Sequence, residues 1–289
     1  MNPTNDTSII LPTNTRHKHH VNWHEAIACA IEIELRDYAD LLQFLSEYVL
    51  GKNSYRIDLL IINKLSTQAI SKNIARIFST CNLFEFKGIQ SSVSISAYYK
   101  TIGYAGLLIN QMSNSEATQY SSLDISISFL TFRYPRKLLK HLTEDRHLTV
   151  EKTSEGIYYI LKEIFNIQII VASRLPPDKN LYLYCLANGL RDTSVTNRLA
   201  DDWSMHQEQD IYTKYLNQLT TANKSMKGES TMVCEGLLNL FGTSSAEIIA
   251  NTRKESEAQI NELFEANKQL SSQINRLKEL LRQNNISFE

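Results

Sequence analysis

Three charged residues interrupt stretches of the sequence that are otherwise strongly apolar. Asp58 lies within YRIDLLIIN at 55–63, and Glu85 and Lys87 lie within NLFEFK at 82–87. Because side chains alternate along a strand, Glu85 and Lys87 are expected on the same face of theirs. Burying an unpaired charge is costly, so each of these residues needs a partner. Two carboxylates that bind a divalent cation, with the ammonium beside them, form the simplest such arrangement.

This set of residues suits the hydrolysis of phosphodiester bonds. Mg²⁺ prefers a few carboxylates together with water molecules and phosphate oxygens. A bound cation lowers the pKa of a water molecule and stabilises charge on the attacked phosphate. The sequence therefore predicts a Mg²⁺ or Mn²⁺ site with Asp58 and Glu85 as ligands, and Lys87 as the residue that activates water or stabilises developing charge. A buried ion-pair network without catalysis is the alternative interpretation.

A third carboxylate is expected from the helix that precedes these strands. Apolar residues at spacings of three and four predict a helix over residues 23–42. At about 100° per residue, Glu34 falls within the apolar arc of this helix, whereas Glu25 and Glu32 fall on the opposite side. Glu34 is therefore predicted as the remaining catalytic residue and metal ligand, and Glu47 on the following strand is the reserve candidate.

The other patterns predict an α/β domain that positions these residues. Residues 44–50 alternate as a strand, and the β-branched run at 55–63 is typical of a strand covered on both faces. Further patterns predict a helix at 95–110 and strands at 124–132, 156–161 and 167–173. Beyond Pro176 and Pro177 the pattern indicates helices without strands.

The motif and its placement resemble the PD-(D/E)XK nuclease superfamily. Asp58 and then Glu85-Phe86-Lys87 stand on two strands that follow an acidic helix, and Ile57 takes the place of the proline that names the motif. The segments RIDLLII, EFK, YYKTIGYAG and RYPRKLLKHL are similar to those of a bacterial branch of the superfamily, over residues 21–190. The resemblance implies a restriction-endonuclease-like αβββαβ core with a mixed sheet. It also implies metal-dependent hydrolysis of nucleic acid, with DNA favoured over RNA.

Regions that differ in composition and apolar pattern flank this nuclease-like domain. Residues 1–20 are polar and are predicted to be a flexible arm, and residues 191–250 are predicted to be a helical region. Within 251–289, apolar residues occupy a and d positions of one heptad frame, with Asn267 at an a position; they are Ile260, Leu263, Leu270, Ile274, Leu277 and Leu281. This frame predicts a coiled coil that forms a homo-oligomer through residues 253–284. A single amphipathic helix packed on the body is the alternative.

Composition and charge limit the classes of function and the location. The formal net charge is −1, so any surface for nucleic acid has to be a local patch. Basic residues cluster between Arg133 and His141, where they contact either phosphates or only solvent. The chain has neither a leader of secretory type nor an apolar run long enough to cross a bilayer, which predicts a cytoplasmic protein without membrane contact. The scattered cysteines are typical of reduced thiols.

Two functions follow from these patterns. The first is metal-dependent phosphodiester hydrolysis of nucleic acid by Glu34, Asp58, Glu85 and Lys87. The second is a catalytically silent module that binds nucleic acid or protein and is oligomerised by its C-terminal coiled coil. A cleavage assay with added divalent metal distinguishes the two.

Overall fold

The computed structural model describes residues 21–51, 55–64, 69–115 and 119–225, together with Lys268. All of these except Lys268 belong to the first of two units, Met1–Val233. The arm predicted at 1–20, the last part of the predicted helical region and, apart from Lys268, the coiled coil predicted at 251–289 lie outside the described residues. They stay predictions.

The elements that carry the predicted site residues form in the predicted order. Helix α1 spans Trp23–Glu34, and its first turn is capped by the side chain of Asn22, which accepts the backbone N–H of Glu25. The next elements are strands β1 (Leu42–Leu50), β2 (Tyr55–Asn63) and β3 (Cys81–Phe86), helix α2 (Ile95–Ser115) and strand β4 (Ile125–Thr131). The β-branched run of β2 forms a strand at the predicted residues.

Helix α1 is shorter than the helix predicted over 23–42. It ends at Glu34, and Arg36–Tyr38 form a short 3-10 turn before β1 begins at Leu42. Leu35 and Leu42 are both buried, so the apolar spacing continues through the turn into the strand. Apolar spacing alone does not distinguish one continuous helix from a helix that is followed by a turn and a strand, and for this reason the predicted helix is too long.

The second half of the domain adds helix α3, three strands of the sheet and then three more helices. Helix α3 (Arg136–Lys140) is followed by strands β5 (Thr149–Ser154), β6 (Ile157–Leu161) and β7 (Asn166–Val171), and then by helices α4 (Leu181–Asn188), α5 (Thr193–Ser204) and α6 (Asp210–Ser225). Strand β5 was not predicted, because most of its side chains are exposed and it lacks apolar alternation. It lies at one end of the sheet.

The seven strands that the described residues form make one mixed sheet in the order β1-β2-β3-β4-β7-β6-β5. Strands β3, β4 and β7 are parallel neighbours, and the remaining neighbours are antiparallel. The edge at which β3, β4 and β7 end is called the carboxyl edge below. Because β2 runs antiparallel to β3, the amino end of β2 lies at the carboxyl edge as well. The predicted α/β class with a mixed sheet is confirmed.

Helices and turns bury the central strands on both faces. Every residue of β3 and of β4 is buried. On one face α2 packs against β4, and the ring of Tyr98 stacks on that of Phe129 at a centroid distance of 5.4 Å. On the other face Phe84 meets Phe78, with ring centroids 5.9 Å apart. Helix α1 packs against α4 and α6. Within the described part of the chain, no helix has the length and apolar character needed to cross a bilayer.

Candidate functional site

Asp58 lies beside the end of β3. Leu59 pairs with Phe84 in the antiparallel register of β2 and β3, so Asp58 stands opposite Glu85. The Oδ2 atom of Asp58 accepts the backbone N–H of Phe86 at 2.6 Å. This hydrogen bond lies just beyond Leu59 and Phe84, the last pair in the register of β2 and β3. The Asp58 side chain is only 12% exposed. The antiparallel register places the two carboxylates at the same end of the sheet.

Glu85 is buried and paired with two lysines. Its Oε1 atom accepts from Lys87 Nζ at 2.6 Å and from Lys100 Nζ at 2.8 Å. The Glu85 side chain is 2% exposed, whereas that of Lys87 is 26% exposed. Two ammonium groups compensate the buried carboxylate, which explains how a strand interior holds it. The sequence analysis gives Lys100 no role in the site. The feature that could have indicated one is its position in the helix that follows β3.

The electrostatics of Asp58 reflect its neighbours. Burial, followed by the negative charge of Glu85, raises the pKa of Asp58. The backbone hydrogen bond from Phe86 and the positive charges of His24 and Lys87 act in the opposite direction. Asp58, Glu85 and Lys87 therefore lie close enough to influence one another. A cation beside Asp58 would favour its ionised form.

Two more side chains of types that bind metal ions lie next to Asp58. Nδ1 of His24, at the start of α1, is 3.4 Å from Oε1 of Glu47 and 3.4 Å from Oδ1 of Asp58. Glu47 on β1 stands opposite Asp58 on β2, since the residues on either side of both are paired across the two strands. One ligand atom from each of the three residues lies within 4.8 Å of the others. The sequence analysis does not identify His24, because no regular spacing of residues links the start of α1 to β1 and β2.

This donor set fits a divalent cation. Carboxylate oxygens suit Mg²⁺ and Mn²⁺, and an imidazole nitrogen suits transition metals, so the set combines donors of both kinds. A cleft of about 540 Å³ adjoins the three residues. Besides Asp58, four carboxylates line it: Glu25, Glu32, Glu47 and Asp210. An excess of negative charge in a cleft raises the local concentration of cations.

Glu34 has a different place from the one predicted for it. Its Oε2 atom accepts from Lys72 Nζ at 2.6 Å, and its Oε1 atom accepts the backbone N–H groups of Tyr182 at 2.8 Å and Leu183 at 3.3 Å. The carboxylate therefore caps the amino end of α4, where unpaired N–H groups attract negative charge. None of the contacts described for Glu34 involves Asp58 or Glu85. It borders a separate cavity of about 340 Å³.

Glu34 is nevertheless buried, as its position in the apolar arc predicted. Burial raises its pKa, and Lys72 and the two amides oppose that shift. The inward direction of the Glu34 side chain agrees with the prediction. Its partners differ, because it contacts Lys72 and the start of α4 and not the strands that carry Asp58 and Glu85. The carboxylate that stands opposite Asp58 instead is that of Glu47, the reserve candidate.

Comparison of the chain with protein-family models gives no match, and neither do the comparisons with curated proteins and with solved structures. The resemblance to the PD-(D/E)XK superfamily therefore rests on the motif residues and their placement in the chain. The geometry of the site is the basis for a functional proposal.

Proposed function

We propose that this protein hydrolyses phosphodiester bonds of nucleic acid with the help of a divalent metal ion. The observation that carries the proposal is the proximity of Asp58, Glu85 and Lys87 at the carboxyl edge, where burial and then the like charge of Glu85 raise the pKa of Asp58. The order α1, β1, β2, β3, α2, β4 is also the order of the restriction-endonuclease-like core that the motif implies. DNA is the favoured substrate.

Asp58, Glu47 and His24 would hold the cation, with Glu85 beside them. Bound there, Mn²⁺ or Mg²⁺ would supply a water molecule of lowered pKa and would neutralise charge on the phosphate. Asp58 suits the central position, since it stands opposite both other carboxylates, one on each neighbouring strand. Glu34 has no part in this proposal.

Lys87 and Lys100 would stabilise the negative charge that develops on the attacked phosphate. Glu85 holds both ammonium groups within 2.8 Å, so their positions are set before substrate binds. Preorganised charges of this kind stabilise a transition state without further rearrangement. The Nζ atom of Lys87 belongs to a side chain that is 26% exposed, so a phosphate can reach it.

One observation favours the alternative of a catalytically silent binding or assembly module. Glu85 already accepts hydrogen bonds from two lysines, so the negative charge of its carboxylate is compensated by residues of the protein itself. In that case the network stabilises the sheet, and residues 253–284 assemble copies of the chain. Cleavage activity decides between the two functions.

The test is an assay with single-stranded and double-stranded DNA and RNA, in Mn²⁺, in Mg²⁺ or in a chelator. The wild-type protein should cleave at least one of these with metal and none with chelator. Lys87→Ala should abolish cleavage while circular dichroism reports a folded protein. Lys64→Ala, an exposed lysine at the opposite edge of the sheet, is the control and should cleave like wild type. Cleavage by Lys87→Ala at the wild-type rate would contradict the proposal, and absence of cleavage by wild type would favour the silent module.

A further inference from the structure

A second group of charged residues surrounds a cleft between α3 and the β5–β6 hairpin. The cleft has a volume of about 350 Å³. Three cationic side chains line it, Arg136, Lys140 and Lys152, and all three residues are exposed. No carboxylate is among the described residues that line it. The cleft is therefore suited to an anion, in contrast to the acidic cleft beside Asp58.

Two tyrosines complete the lining of this basic cleft. The rings of Tyr134 and Tyr158 meet edge to face, with centroids 5.4 Å apart. The guanidinium of Arg174 lies 4.3 Å from the centroid of the Tyr134 ring, and its Nη1 atom donates to the Tyr158 hydroxyl at 2.9 Å. These contacts fix the orientation of Tyr134. Cationic side chains beside fixed aromatic rings are the combination with which proteins bind nucleic-acid strands.

The neighbouring charges leave the basic cleft available to a ligand. Lys140 pairs with Glu144 and Lys152 pairs with Glu155, and all four side chains are largely exposed. Exposed ion pairs of this kind contribute little to stability, so phosphates can replace the carboxylates. Arg133 and Lys137 are exposed nearby and add positive charge.

The basic cleft lies along the same edge of the sheet as the proposed metal site. Lys87 follows β3, Tyr134 follows β4 and Arg174 follows β7, and these three parallel strands all end at the carboxyl edge. Tyr158 on β6 belongs to the same edge, because Ile157 pairs with Ile170 near the end of β7. Three strand intervals separate β3 from β6, which is about 14 Å. Phosphates along one strand of a duplex recur about every 3.4 Å of helix axis, so about four nucleotides span this distance.

We propose that the basic cleft binds the phosphate backbone of a nucleic-acid strand, several nucleotides to one side of the phosphate that is cleaved. The proposal rests on the proposed function for what happens at Lys87, but binding in the cleft needs neither metal nor cleavage. Arg136, Lys140 and Lys152 contact phosphates, which carry no sequence information. Binding is therefore independent of base sequence and weakens steeply with salt.

The test is the affinity for fluorescent single-stranded and duplex oligonucleotides, measured by anisotropy in chelator over a range of salt. The variant combines Arg136→Gln, Lys140→Gln and Lys152→Gln. Each phosphate contact contributes about 0.7 to the slope of log affinity against log salt for a single strand. Removal of three contacts should make this slope less steep by about 2 and should weaken the affinity by about 100-fold at 0.1 M salt. The matched control combines Lys64→Gln, Arg76→Gln and Lys162→Gln, three exposed residues that do not line the basic cleft, and should bind like wild type.

The outcomes separate this inference from the proposed function. If wild type binds and the cleft variant loses both slope and affinity, the inference holds whether or not any substrate is cleaved. If cleavage occurs, the cleft variant should raise KM more than it lowers kcat, since its residues lie away from the reacting phosphate. A cleft variant with the wild-type slope and affinity overturns the inference even if wild type is an active nuclease. Absence of binding by wild type at low salt overturns it as well.

Discussion

Asp58 and Glu85 stand opposite each other at the carboxyl edge, on neighbouring antiparallel strands, and each carboxylate is compensated differently. Asp58 accepts a backbone N–H of β3, whereas Glu85 accepts two lysine ammonium groups. The charge of Glu85 adds to burial in raising the pKa of Asp58. Ionised Asp58 therefore costs free energy unless it binds a proton or a further cation.

Asp58→Asn should stabilise the metal-free protein at neutral pH. The folded-state pKa of Asp58 is raised above its ordinary value of 3.8, so the protonated side chain is favoured in the folded state. This contribution to stability is complete below the ordinary pKa and is lost as pH rises through the raised value. Thermal unfolding at pH 7 in chelator should therefore give a Tm a few degrees higher for Asp58→Asn. The difference should disappear in acid, and Asp40→Asn, at an exposed position, should leave Tm unchanged.

Metal affinity should depend on Glu47 and not on Glu34. Glu47→Gln removes a carboxylate that lies with His24 and Asp58, and it should weaken Mn²⁺ binding by at least about tenfold. Glu34→Gln should leave Mn²⁺ affinity unchanged, because that side chain is bound to Lys72 and α4. Calorimetry measures both, and binding to wild type should release protons because ionised Asp58 is favoured by the cation. Equal Mn²⁺ affinity of wild type and Glu47→Gln would remove Glu47 from the site.

Glu34 should matter for folding. Glu34→Ala leaves two backbone N–H groups at the start of α4 and the Lys72 ammonium without their carboxylate, at a cost of about 3 kcal/mol in the free energy of unfolding. Glu32→Ala, on the exposed side of the same helix, should change it by less than about 0.5 kcal/mol. Urea denaturation of both variants provides the measurement. Similar stability of the two variants would show that the cap of α4 is unimportant.

Two glycines should respond in opposite ways to alanine. Gly156 has a φ of +76°, and a Cβ there would lie 2.9 Å from the backbone N of Leu175 and 2.9 Å from the carbonyl oxygen of Val171. Gly156→Ala should destabilise the protein by more than about 1 kcal/mol. Gly103 lies exposed within α2 with no atom within 4 Å of an added Cβ, so Gly103→Ala should stabilise by about 0.5–1 kcal/mol. Chemical denaturation that gives both variants the same sign would contradict this account.

The heptad frame from Ile260 to Leu281 predicts an oligomer. Deletion of the residues after about 250 should lower the oligomeric state and leave the secondary structure of the α/β domain intact. Light scattering together with circular dichroism measures both properties. A monomeric full-length protein at micromolar concentration would exclude the coiled-coil prediction.

Local pattern determined much of the sheet and part of the site. The run at 55–63 has the pattern of a buried strand because both of its faces are covered. The apolar patterns also place Asp58 and Glu85 within strands and Lys87 at the end of one, where charge needs compensation. These properties depend on neighbours in sequence, so they are visible in the sequence itself. The exposed strand β5 has no such pattern, since an edge strand with solvent on its sides selects no apolar residues.

Tertiary structure alone decided which charges distant in sequence meet. The apolar arc of α1 predicted that Glu34 points inward, but only the packing of α4 against α1 determined that it meets Lys72 and two amide groups. In the same way, strand register brought Glu47 opposite Asp58, and the start of α1 brought His24 to both. Periodicity gives the direction of a side chain relative to its own helix or strand. The partner is determined by elements that are distant in sequence, and their placement depends on packing energies summed over the whole core.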